Sequence, residues 1–176
     1  MGDFMKKMKL IWKILIGLLA AFLLWNLVWF GFTHIKYAPY KEAIGYDEQR
    51  ECWYFRDEDD YVFSVSLPTY LSFTGNLSFT QVLRISNDGT VLNENTYDMI
   101  IWPKLNGEYE YGVCIGTKSE NGQGMISNEF ILDSKMQSTE YLTDEEEKLL
   151  AENADQIAEI YRKAKEMWPN LPLIEG

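Results

Sequence analysis

Leu10 to Phe32 is 23 residues of almost unbroken apolar sequence, interrupted only by Lys13 and Asn26. As a helix rising about 1.5 Å per residue it reaches roughly 34 Å, enough to cross a hydrocarbon core of about 30 Å with slight tilt. Buried core helices are usually amphipathic or shorter, whereas this one is apolar all round. The segment reads as a membrane helix. It divides the chain into a cytoplasmic tail (1–9), an anchor (10–32), a juxtamembrane segment (33–50) and an outer domain (51–176).

Signal peptides carry a shorter apolar stretch, about 7–15 residues, followed by a small-x-small cleavage site. Here the outer end bears Trp25, Trp29, Phe30 and Phe32 where small residues would be needed. Tryptophans at that position suit the aromatic belt of a membrane–water boundary, so the anchor is expected to stay uncleaved. No cysteine lies near enough to carry a lipid. Lys6, Lys7, Lys9 and Lys13 precede or open the span, and only Lys36 and Lys41 lie close behind it. The lysine-rich flank stays in the cytoplasm, which makes the chain a single-pass cell-membrane protein with its C-terminal domain outside.

Residues 33–176 hold 12 basic and 26 acidic side chains, a net charge of −14. That disfavours nucleic acid, whose phosphates need a positive footprint, and disfavours lying flat on anionic lipid. A basic protein partner suits it, although acidity also serves solubility alone. Cys52 and Cys114 both fall on the oxidising side. A disulfide and two buried thiols are equally open readings.

The outer domain alternates like a sheet. Strands are expected over 51–55, 61–67, 77–86, 91–102, 109–119 and 125–133, joined by short turns such as Asp57-Glu58-Asp59-Asp60 and Asp88-Gly89. About six strands in an antiparallel meander follow. Thr143 and Glu146 then form a capping-box pattern. Beyond it Leu150, Ala154, Ile157, Tyr161, Ala164 and Trp168 make one apolar stripe, ended at Pro169. The expected fold is α+β, with one long C-terminal helix packed on one face of the sheet. Val65, Phe79 and Val113 would face that helix, and Ser64, Ser78, Glu110 and Cys114 would face away.

Catalytic candidates are scarce. His34 is the only histidine and sits at the membrane exit, so Ser-His, Cys-His and histidine-rich metal sites are not expected. No phosphate-cradling glycine loop is present. No cofactor is implied. The acidic run 57–60 could hold a hard cation or meet a basic partner, or serve as a solvated hairpin tip. The residues left for recognition are Tyr54, Arg56, Arg84 and Glu110 on the open face, beside Asp57, Glu58, Asp59 and Asp60. A binding protein is expected rather than an enzyme.

The start "MKKMK", the span ending "LLWNLVWFGFTHIKYAPY" and the acidic meander with its C-terminal helix resemble the TipC-type immunity proteins. The resemblance implies an anchored, sheet-based domain displayed outside a Gram-positive cell. Its partner would be a type VII-secreted toxin that attacks the cell-wall precursor lipid II. No binding residue of that family transfers to a position in this chain. The other reading is a non-catalytic accessory or structural subunit of a cell-envelope complex.

Overall fold

The computed structural model describes residues 2–172, apart from 71, 121 and 123, with side chains from residue 5 onward. Helix α1 runs Gly2–Gly31 and leaves its apolar side chains exposed, with Leu18 63% and Leu27 70% accessible. By length and composition it is able to cross a membrane. A π-helical segment, Phe32–Lys36, leads to the short helix α2, Ala38–Ile44. Within the π segment the Thr33 hydroxyl donates to the carbonyls of Trp29 and Phe30 at 2.8 and 3.2 Å, the back-bonding that competes with regular helix geometry. Burial begins here. Phe32, Tyr37, Tyr40 and Ile44 all enter the core.

Seven strands follow in strict sequence order: β1 (Tyr46–Asp47), β2 (Cys52–Arg56), β3 (Tyr61–Ser66), β4 (Asn76–Gln81), β5 (Asn95–Pro103), β6 (Tyr109–Lys118) and β7 (Met125–Leu132). All neighbours are antiparallel, giving an open meander. The count is seven rather than six because β1 is only two residues long, too short for alternation to register. The expected strand 77–86 also stops at Gln81. Leu83 and Ile85, which alternation assigns to the core side, are 39% and 58% exposed. A single bridge, Ile85↔Val91, closes around the Asp88-Gly89 turn, and Gly89 takes the positive φ that such a turn requires.

The C-terminal stripe lies on two helices, α3 (Asp144–Glu152) and α4 (Ala154–Met167). The capping box opens α3: Thr143 accepts from the Glu146 N–H, and the Glu146 carboxylate accepts from the Thr143 N–H at 2.8 Å. The break falls at Asn153, which is buried where the stripe places Ala154. Its amide donates to the Leu149 carbonyl at 2.8 Å and its side-chain oxygen accepts from Tyr97 of β5 at 2.7 Å. Beyond the break, Ile157, Ile160, Tyr161 and Ala164 share one core with Phe63, Val65, Leu77, Phe79, Met99, Tyr111 and Val113 of the sheet. Trp168 stands edge-on to Phe63 and to Tyr40, and its indole donates to the Tyr40 carbonyl at 3.2 Å. The segment read as juxtamembrane is thus part of the same core.

Candidate binding face

Strand register defines the other face of the sheet. One cross-strand row reads Tyr54, Ser64, Ser78, Ile100, Gly112, Ile131, and the next reads Arg56, Val62, Thr80, Asp98, Cys114, Glu129. Trp102 and Glu110 pair beyond the first row. The face is less uniformly polar than alternation alone implies, because Trp102, Ile100 and Ile131 cluster on it.

Gly112 explains the relief of that surface. A Cβ there would fall 2.6 Å from the Trp102 ring, so only glycine lets the indole lie down across β6. Beside the ring lies a groove of about 240 Å³, lined by Ser78, Thr80, Asp98, Ile100, Cys114, Glu129 and Ile131 among others. On the far side of Trp102 a shallower hollow of about 770 Å³ is lined by Phe73, Lys104, Leu105, Glu110 and Glu140. Among the described residues no basic side chain lines the 240 Å³ groove. Asp98 accepts one backbone bond, from the Gln81 N–H at 3.2 Å, and burial raises its pKa. Burial also raises the Cys114 thiol, and the Asp98 and Glu129 charges add to it. A half-buried carboxylate beside a second carboxylate and the Trp102 indole is an environment suited to an incoming ammonium or guanidinium group.

The residues expected from sequence fall into three places. Asp57, Glu58, Asp59 and Asp60 form the β2–β3 tip. Asp57 closes the hairpin by accepting from the Tyr61 N–H at 2.7 Å, and Asp60 takes a positive φ of 65°. Three loop residues ending in that conformation are a favoured hairpin geometry, which Asp tolerates. Asp60 pairs with Arg56 at 2.6 Å and with Arg84 at 2.9 Å, and these pairs lower its pKa. Asp59 pairs with Lys163 of α4 at 3.1 Å. Among the described residues Asp59 and Asp60 are ion-paired, Asp57 bonds only to the Tyr61 N–H, and the Glu58 side chain has no partner. Much of the tip's charge is therefore already met within the chain. Arg56 and Arg84 belong to this cluster. Tyr54 lies apart from it, with the Arg50 guanidinium 4.4 Å from its ring centre. Glu110 pairs with Lys104 at 3.1 Å and is four strands from Tyr54, about 19 Å at ordinary strand spacing. The structure does not bring Glu110 and the tip together.

Asp98, Glu129 and Trp102 are the residues that sequence reasoning missed. Parity along β5 and β7 would have put all three on the open face. The groove itself needed the diagonal approach of Trp102 to Gly112. Cys52 and Cys114 are free thiols on β2 and β6, four strands apart, well beyond the roughly 7 Å Cα limit for a bridge. Among the described residues no group of three or more His, Cys, Asp or Glu converges as a metal site. No protein-family profile, characterised protein or solved structure matches the chain.

Proposed function

We propose that this chain is an anchored, outward-facing binding protein: an immunity protein of the TipC type that neutralises a secreted antibacterial toxin with a basic surface. In this reading α1 crosses the cell membrane with its lysine-bearing end in the cytoplasm. Helices α2 and α4 occupy one face of the sheet and leave the other free. The carrying observation is the groove beside Trp102, acidic and without a basic side chain of its own. A lysine or arginine of the partner would find two carboxylates and an aromatic ring there, the mix that forms binding hot spots.

The test pairs the protein with secreted toxins of the proposed class, beginning with any encoded beside its gene. Protection is scored by co-expression in a Gram-positive host, and affinity is measured on purified protein. Trp102→Ala and the double change Asp98→Asn, Glu129→Gln should each weaken binding by about 1–3 kcal/mol, roughly 5- to 150-fold. His34→Ala should leave protection within about threefold, because that side chain lies outside the face. Folded groove variants that bind and protect like the parent would place the interface elsewhere.

A further inference from the structure

The connection between β3 and β4 is bound to the C-terminal end of α1 through Thr69, Tyr70 and Phe73. The Trp29 indole donates to the Thr69 carbonyl at 3.0 Å and the Trp25 indole to the Tyr70 carbonyl at 3.3 Å. The Tyr70 hydroxyl donates to the side-chain oxygen of Asn26 at 2.9 Å, and the Asn26 amide turns back to the Phe22 carbonyl at 2.7 Å. Rings close the contact: Trp29 meets Tyr70 edge-on at 5.2 Å, and Phe73 stands between Trp25 at 5.1 Å and Phe32 at 5.4 Å. At the far end of the loop, a Cβ on Gly75 would collide with the Ser66 carbonyl and Pro68, so the loop's base is tightly packed.

Depth follows from helix length. Lys9 to Trp25 is 16 residue steps, about 24 Å, which is less than the roughly 30 Å of a hydrocarbon core. With the lysines reaching back to one boundary, Trp25 and Asn26 lie no farther out than the opposite boundary. The loop that bonds to them shares that depth. Polar groups there need protein partners, and the Asn26 amide and both loop carbonyls have them.

We infer that the β3–β4 connection, through Thr69, Tyr70 and Phe73, forms a lipid-contacting foot, seated in the headgroup and upper acyl layer of the outer leaflet and clamped to the anchor by Trp25, Asn26 and Trp29. This rests on α1 spanning the membrane. The outer domain then does not swing on a tether but stands on the bilayer at this loop. In a meander, connections alternate between the two ends of the sheet. The β1–β2 and β5–β6 turns share the membrane end, while the acidic tip 57–60 and the β4–β5 and β6–β7 connections lie at the other.

The experiment uses the full chain in phosphatidylcholine–phosphatidylglycerol vesicles, with Cys52 and Cys114 changed to serine. Single cysteines replace Thr69, Glu58 or Ile16 and carry an environment-sensitive dye, and quenching by lipids doxyl-labelled near the headgroup or deep in the chain is read. Thr69→Cys keeps the backbone carbonyl that the indole binds. Its dye should be quenched about threefold more by the shallow label than the dye at position 58, as for groups in the interfacial belt. Adding Trp29→Phe and Tyr70→Phe should lower that quenching while leaving position 16 unchanged. Deep quenching at 16 with none at 69 overturns the foot alone. Absence of quenching at 16 overturns the spanning reading, and the foot with it.

Discussion

Asp98 sits half-buried with one backbone donor and no basic neighbour in the groove, and burial holds its pKa above the ordinary aspartate value. The folded state therefore binds this proton more tightly than the unfolded chain. Stability is lost as pH rises from the ordinary value through the raised one. Asp98→Asn keeps an acceptor for the Gln81 N–H and removes the charge. It should raise the melting temperature near pH 7, with the gain shrinking toward about pH 4. Melts of both proteins across that range check it; a variant less stable at neutral pH would contradict this account. The same substitution is expected to weaken partner binding, so stability and function would move in opposite directions. Gly112→Ala makes a different point. The methyl group must push Trp102 off the strand, and overpacking of this kind costs about 1–3 kcal/mol, measurable by denaturant titration.

Among elements, the break between α3 and α4 is where local pattern and structure part. The stripe 150–168 has helical spacing throughout, so nothing in it signals an interruption at Asn153. The cause is nonlocal: the Asn153 carboxamide is held between the Tyr97 hydroxyl on β5 and the Leu149 carbonyl. Replacing Asn153 by Ala leaves Tyr97 without its acceptor and should cost about 1–3 kcal/mol, and a double-mutant cycle with Tyr97→Phe should show coupling. Additive losses would mean that the bond carries no such weight. The rest of the sheet was legible because alternation and turn residues are local signals: Phe63 and Val65 inward, Ser64 outward, Asp88-Gly89 at a bend. What was not legible depends on partners distant in sequence. Lys163 and Arg84 partner the acidic tip from elsewhere in the chain, and no spacing rule announces either. These pairs are open to solvent on at least one side, where screening leaves each worth little. Asp59→Asn should therefore leave the melt nearly unchanged while slowing association with a basic partner, most visibly at low salt, whereas Asp60→Lys sets a third cation beside Arg56 and Arg84 at a positive φ and should lower the melt.

At the scale of the whole molecule, the anchor reading predicts full-length protein in the membrane fraction of a Gram-positive host. Added protease should remove the chain beyond about residue 35 from the cell surface, since the outer domain faces that side. A shortened product in the medium would defeat it. The single bond from the Trp168 indole to the Tyr40 carbonyl spans 128 positions and joins the two ends of the outer domain. Every strand, by contrast, pairs with its neighbour in sequence. A chain threaded outward behind its anchor could thus form β1 through β7 hairpin by hairpin as each leaves the translocation pore, with low contact order throughout. The core stays unsealed until Trp168 and Leu171, both almost fully buried, pack after all seven strands. Chains truncated after Glu166 should accordingly keep their sheet signal but melt early and be digested faster by added protease, which makes Trp168 and Leu171 the latch of the fold.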